Sequence, residues 1–251
     1  MPRCQRTFRR LGPGAVVPGS GDGRWCCPYC EDAEAYATVG DADLLHYAAL
    51  AETACQRDFG KPSDHQRPTL FLWGLRPECV LEPSDRRYEI YLQRGSDPFQ
   101  TRLQIGHEIF HRTCSQGRIF HWTHEMLACL VSVRLLRRHG GSDYAAVIEA
   151  EYALQAKQMS FAQMVAVDLS QGPYPVGLYG RAYITGAALI EAVGWDRLRR
   201  LGRCLNSRGA PDVAAWQARL PRGEALRVFA LLAEESVPVH PPVNSRNETG
   251  R

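Results

Sequence analysis

The alternation of apolar and polar residues predicts one helix and three short strands in the first third of the chain. Apolar residues recur with helical spacing over 42–59, where Asp41 is a suitable N-cap and Gly60 a stop. Three short runs rich in β-branched or aromatic residues follow, separated by turn residues, at 69–74, 78–82 and 88–93. These runs favour a small antiparallel sheet.

The remaining chain has helical periodicity. Asp97 followed by Pro98 predicts the start of a helix of about sixteen residues, because an acidic N-cap before proline is a common helix start. Thr123 is the expected N-cap of the next helix, which ends in basic residues before Gly140. Further helices are predicted at 143–158, 161–168, 179–194, 196–205, 211–219 and 223–235. This order of elements indicates an α+β fold, helical from residue 97 onward.

Composition divides the 251 residues into a basic leader, one folded domain and a polar tail. Residues 1–25 contain five arginines and one aspartate, a net charge of +4, and lack the apolar region of a secretory signal. We expect a disordered leader there, although an arginine-rich, acid-poor segment is also compatible with a transit peptide. A single domain over 26–236 and a disordered tail over 237–251 complete the predicted organisation.

The charge balance of the predicted domain argues against several classes of partner. The whole chain carries +3, so the residues after the leader carry a net charge near −1. A nucleic-acid-binding domain would need a basic stripe on its folded elements, so none is expected. No apolar run is long enough to span a bilayer, so membrane insertion is not expected either. Nine cysteines without an export signal indicate reduced thiols and a cytoplasmic location.

A cysteine cluster, CCPYC, opens the predicted domain. Cys27 and Cys30 enclose proline and tyrosine, as in glutaredoxin-type redox sites, where a preceding strand and a following helix lower the thiol pKa. The sequence before Cys26 predicts no strand. Thiols without a chemical role are the favoured interpretation, and a redox protein is the alternative.

The candidate chemistry lies in the stretch HEIFH, in the second half of the helix that begins at Pro98. His107 and His111 are four residues apart, so both imidazoles lie on one face of the helix and can bind one ion. Glu108 lies beside them and can act on a water molecule as a general base. This H-E-x-x-H pattern predicts a Zn²⁺ site.

A catalytic zinc needs a third protein ligand. The metzincin arrangement needs a glycine and a third histidine soon after the pair, where this chain has Cys114 and Gly117 instead. Glu125, in the first turn of the next predicted helix, is the expected third ligand. His121 and His124 are the alternatives.

The region around the motif resembles the gluzincin class of zinc metallopeptidases, in which a tryptophan, a ligand glutamate and a small residue follow H-E-x-x-H. Here these residues are Trp122, Glu125 and Ala128. The helix and strands before the motif resemble those of ImmA/IrrE-like metallopeptidases, and 178–205 resembles the later helical segment of peptidase MA-like proteins. The resemblance covers residues 40–205 and implies a zincin-like fold with a helical C-terminal half.

The resemblance also implies a zinc-dependent peptidase acting on a peptide or protein substrate. Glu108 would take a proton from the attacking water and pass it to the departing amine. Tyr179 would donate a hydrogen bond to the carbonyl oxygen, with Tyr183 as the alternative donor. Cys129 stands four residues after the ligand glutamate, where an acid would support a ligand histidine, so that support is not evident.

Two interpretations remain open. The strand at 88–93 could form the sheet edge along which an extended peptide pairs, or it could be an ordinary sheet strand. A non-catalytic protein of the same fold, which binds a partner or holds a structural zinc, is the alternative to the peptidase. A closed structural site would require a fourth protein ligand, and the sequence offers none in an evident position. Nothing in the sequence indicates the oligomeric state.

Overall fold

A computed structural model describes residues 38–60, 67–74, 76–82, 87–115, 121–169, 174–175, 177–205 and 211–235. These residues form nine α-helices and three β-strands, which are α1 (Ala42–Phe59), β1 (Thr69–Gly74), β2 (Glu78–Glu82), β3 (Arg87–Gln93), α2 (Pro98–Ser115), α3 (Trp122–Arg138), α4 (Ser142–Ala156), α5 (Phe161–Val165), α6 (Leu178–Val193), α7 (Trp195–Leu198), α8 (Val213–Gln217) and α9 (Arg222–Glu235). The α+β class is therefore confirmed. The predicted leader, the CCPYC cluster and the predicted tail lie outside the described residues.

The first two helices begin where the sequence predicts. Oδ1 of Asp41 accepts hydrogen bonds from the backbone N–H groups of Asp43 and Leu44, at 2.9 and 3.1 Å. Gly60 ends α1 with a φ of 92°, which a residue carrying a Cβ rarely adopts. Asp97 caps α2 in the same way, by accepting two backbone hydrogen bonds from its first turn.

The three strands form a mixed sheet, and the prediction of an antiparallel sheet is wrong. In the order β1-β3-β2, the central strand β3 runs parallel to β1 and antiparallel to β2. Every residue from Tyr88 to Leu92 is buried, as is usual for a strand covered on both faces. Of the two interpretations that the sequence left open for this strand, the structure supports the ordinary sheet strand, since β3 lies in the centre and not at the edge. Turn residues between the strands mark where each one ends, and they do not determine its partner.

The two outer strands differ in what covers them. Thr38 bridges Leu72 of β1, and the Val39 N–H donates to the Phe71 carbonyl at 3.0 Å. Within the described ranges, β2 has no strand partner on the side away from β3. The outer edge of β2 is therefore the open edge of the described sheet.

Helix α3 forms the centre of the helical part. It packs against α2, α4 and α6, and all its residues from 122 to 133 are buried. Helix α2 packs in turn against α1, β2 and β3. Polar side chains on the buried faces of α2 and α3 must therefore find partners inside the protein.

The C-terminal half is helical, as predicted, with several elements shorter than the pattern indicates. The predicted helix at 196–205 is divided into α7 and a 3-10 turn, Leu201–Arg203. The helices predicted at 161–168 and 211–219 are five-residue elements, α5 and α8. Across the described ranges, no helix combines the length and the apolar character that crossing a membrane requires.

Candidate metal centre

Helices α2 and α3 approach each other closely beside the H-E-x-x-H stretch. Gly106 lies at this contact, where a Cβ would stand only 3.0 Å from Cα of Ser132. Glycine therefore allows the two backbones to lie closer together than a larger residue would. His107 follows directly, and Glu125 lies in the first turn of α3.

The two histidines and the glutamate converge on one point. Nε2 of His107 lies 3.0 Å from Nε2 of His111 and 3.0 Å from Oε2 of Glu125. Nε2 of His111 lies 3.7 Å from the same Glu125 oxygen. Ligand atoms about 2.0–2.1 Å from one tetrahedral ion are about 3.3 Å apart. The three side chains thus have the spacing of ligands to a single ion, and their ligand atoms all lie within 4.8 Å of one another.

The carboxylate of Glu125 is a buried negative charge. Its side chain is 0% exposed, whereas that of His107 is 13% exposed. Burial alone would raise the pKa of Glu125, but His111 and His107 hold that pKa well below its usual range. Within the described part of the chain, neither carboxylate oxygen accepts a hydrogen bond of regular geometry. A buried, ionised carboxylate requires compensation by nearby positive charge, which a protonated His107 or a bound divalent cation would provide.

His107 is supported by a thiol. The Cys129 thiol lies close enough to His107 to raise the pKa of that imidazole, and the Tyr152 side chain on α4 lies close to the same thiol. Burial would lower the pKa of His107, but Cys129 and Glu125 reverse this effect and raise it well above its usual value. Cys129 thus occupies the supporting position for which the sequence offered no acid.

Glu108 lies beside the three candidate ligands. Burial raises the pKa of this glutamate to about 8, against the lowering effect of His107. The backbone of Cys79 in β2 lies close enough to the Glu108 carboxylate to lower its pKa. Glu108 therefore connects the histidine-bearing helix to the strand with the open edge.

His121 and His124, the alternative third ligands, do not join the group of candidate ligands in the described residues. Nδ1 of His121 accepts the backbone N–H of Thr123 at 3.4 Å and lies 2.7 Å from the Thr123 hydroxyl. His121, not Thr123, is therefore the N-cap of α3, and the sequence prediction was wrong because Thr123 is buried with its hydroxyl engaged by His121. Burial and the neighbouring His111 lower the pKa of His124 to about 3, so its ring is neutral.

The two candidate tyrosines have different surroundings. The Tyr179 ring makes an edge contact with His107, at 5.7 Å between centroids and 79° between planes. Desolvation and the nearby Glu125 raise the pKa of Tyr179 well above its usual value, so its hydroxyl remains a proton donor at neutral pH. The Tyr183 hydroxyl donates instead to Glu149 on α4. Of the two tyrosines, Tyr179 is therefore the one beside the candidate metal ligands.

Three contributors to the site were missed by sequence reasoning. Tyr152 reaches the centre through Cys129, and the Cys79 backbone through Glu108. The ring of Tyr174 lies 6.2 Å from that of Tyr179. None of the three had a detectable signal, because they come from β2, α4 and the segment before α6. Cys129 did have one, since a residue four positions after Glu125 lies on the same helix face.

Comparisons with protein-family models, with curated proteins and with solved structures give no match to this chain. The function is therefore inferred from the residues and the geometry of the candidate metal centre.

Proposed function

We propose that this protein is a zinc-dependent peptidase of the gluzincin type, in which His107, His111 and Glu125 bind Zn²⁺. The observation that carries the proposal is the convergence of these side chains from two helices, with ligand atoms 3.0, 3.0 and 3.7 Å apart. Two imidazole nitrogens and one carboxylate oxygen form a donor set that catalytic zinc sites use, with a fourth position for water or substrate. When bound, zinc supplies Lewis-acid polarisation of the scissile carbonyl and of water.

Glu108 is the proposed proton carrier. It adjoins a ligand histidine in sequence, and its carboxylate lies within the electrostatic influence of His107 and Glu125. A general base must be ionised, and positive charge at the centre favours that form against the burial that raises its pKa. Glu108 would accept a proton from water and then pass it to the departing amine.

Tyr179 is the proposed hydrogen-bond donor to the carbonyl oxygen, since its ring contacts His107 and its hydroxyl keeps its proton at neutral pH.

The open edge of β2 is the proposed path of an extended peptide. Main-chain hydrogen bonds along a sheet edge can hold such a substrate without contacts to its side chains. The proximity of the Cys79 backbone to Glu108 supports this path, because the edge of β2 then lies near the proposed proton carrier.

The order of a small sheet, a histidine-bearing helix packed on that sheet, and a helical second half supports a zincin-like fold. The alternative function is a protein of the same fold that binds a partner or holds a structural zinc. Within the described residues, the candidate ligand group has three members, whereas structural zinc sites are usually closed by four. This difference favours the peptidase.

The experiment that tests the proposal combines metal content with cleavage of a mixed peptide library. We expect about one zinc per chain in the wild type, loss of zinc in His111→Ala, and retention of zinc in a control that removes an exposed histidine, His46→Ala. Glu108→Gln should keep zinc and lose cleavage, because it removes only the base. Zinc binding in the wild type with no cleavage of any peptide would favour the non-catalytic alternative. No zinc after reconstitution would contradict the peptidase and the structural zinc, and would leave a partner-binding protein.

A further inference from the structure

A second concave site lies away from the metal centre, between α1, the C-terminal half of α3 and α7. The cavity has a volume of about 410 Å³ and is lined by Arg57, Asp58, Arg134, Arg138, Trp195, Asp196 and Arg199. Arg134 is nine residues beyond Glu125 on α3, about 14 Å along the helix axis at 1.5 Å per residue. The cavity is therefore separate from the candidate metal centre.

The lining of this arginine cavity is positively charged, although the predicted domain as a whole is nearly neutral. Its four arginines and two aspartates give a net charge of +2. Both aspartates already have arginine partners: Arg57 pairs with Asp58 at 2.9 Å, and Arg199 pairs with Asp196 at 3.1 Å. The acids of the cavity are therefore engaged by two of its four arginines.

Arg134 and Arg138 have no acidic partner among the described residues. They are four residues apart on one side of α3, where two like charges repel each other. The helix dipole stabilises a cation in the last turn of a helix, which accounts for the positions of Arg138 in α3 and Arg57 in α1. Arg134 lies outside the last turn of α3, so the dipole does not account for its position. A negatively charged ligand between the two guanidinium groups would convert their repulsion into attraction.

Two of the four guanidinium groups, those of Arg134 and Arg199, are held in place before any ligand arrives. Arg134 lies over the Trp195 ring, 5.0 Å from its centroid. Arg199 donates to the Asp58 carbonyl at 3.4 Å in addition to its ion pair. Ordered guanidinium groups bind phosphate oxygens bidentately at a reduced entropic cost.

The volume and the apolar part of the lining indicate a ligand larger than a free anion. Cavities of about 300–1,000 Å³ are typical of small-molecule sites. Trp195 is the apolar residue of the cavity lining and its ring is partly exposed, whereas the neighbouring Phe59, Val131 and Leu135 are buried beneath it. We propose that the arginine cavity binds a small phosphomonoester with a flat apolar body, with Arg134 and Arg138 as the ligands of the phosphate group.

Calorimetric titration of the full chain with AMP, adenosine and inorganic phosphate, at an ionic strength of about 0.15 M, tests this proposal. We expect AMP to bind more tightly than inorganic phosphate and adenosine not to bind. The double variant Arg134→Gln/Arg138→Gln should weaken AMP binding by at least about tenfold, since charge-assisted hydrogen bonds are lost. Arg200→Gln, which removes one exposed charge from the same region outside the cavity lining, should leave the affinity unchanged.

Three results would overturn the proposal. They are the absence of AMP binding to the wild type, an AMP affinity no greater than that for inorganic phosphate, and an equal loss of affinity in Arg200→Gln and the double variant. Circular dichroism of each variant separates loss of binding from loss of fold, and the substituted arginines are exposed. Because the readout is binding and not cleavage, the outcome is independent of the proposed peptidase activity.

Discussion

Nε2 of His107 lies 3.0 Å from Oε2 of Glu125, so a residue of α2 meets the first turn of α3 across the helix interface. This contact joins the H-E-x-x-H stretch to a carboxylate eighteen positions further along the chain. It also places a fully buried negative charge against two imidazole rings.

Glu125→Gln should abolish tight zinc binding while preserving the fold, because the amide has the size of the carboxylate but lacks its charge. We expect zinc affinity to fall by more than about 100-fold, since loss of a supporting partner alone already costs 10–100-fold. Competition with a chromophoric chelator measures the affinity. Glu149→Gln is the matched control, because Glu149 bonds to Tyr183 and Arg137 on other helices. Zinc bound equally tightly by Glu125→Gln would place the third ligand elsewhere.

Cys129→Ala should weaken zinc binding by about tenfold, because His107 loses the partner that orients its ring. Cys129→Ser should have a smaller effect, since the hydroxyl can still contact the imidazole and the Tyr152 hydroxyl. The same chelator competition reports both variants. Cys55→Ala removes a buried thiol from α1 and controls for the loss of packing. If Cys55→Ala weakened zinc binding as much as Cys129→Ala does, the loss in Cys129→Ala would come from lower stability and not from the lost contact with His107.

Gly180→Ala should lower the free energy of unfolding by about 1–3 kcal/mol, as overpacking of a close contact does. A Cβ at this position would lie 2.5 Å from the Tyr152 carbonyl oxygen and 2.7 Å from the Ala156 nitrogen, both in the backbone of α4. Denaturant titration measures the change. Gly223→Ala adds the same methyl group to α9 where nothing lies within 4 Å, and should raise stability by about 0.5–1 kcal/mol. Equal stability of the two variants would show that α6 can move away from α4 without cost.

Glu52→Ala should destabilise the protein by about 1–2 kcal/mol, because it leaves a buried guanidinium without its carboxylate. The Arg112 side chain on α2 is 2% exposed and lies 2.5 Å from Glu52, which is itself 31% exposed. Thermal and denaturant unfolding measure the loss, and Glu151→Ala, at an exposed glutamate of α4, is the control. Adding Arg112→Met to Glu52→Ala should recover part of the lost stability, since no unpaired charge then remains. An unchanged stability of Glu52→Ala would contradict a role for this pair.

Much of the local structure could be predicted from the sequence. Asp41, Asp97 and Gly60 act on backbone groups within a few residues of themselves, so the helix boundaries they set can be read without knowledge of the fold. His107 and His111 share a helix face for the same reason, because 3.6 residues per turn places positions four apart together. Glu125 was predicted as the third ligand from its position in the next helix, and the structure brings it to the pair.

The tertiary structure decided the features that depend on contacts between distant segments. The central position of β3 and its parallel pairing with β1 arise because strand partners are chosen by the burial of both sheet faces, which turn residues do not encode. The contacts of Cys129 with Tyr152, of Glu108 with Cys79, and of Arg134 with Trp195 each join separate elements. Local propensity acts over one or two helical turns, whereas these contacts depend on how helices and strands pack. The sequence by itself determined which groups can do chemistry here, and the packing of α2, α3, α4 and β2 determined which of them meet.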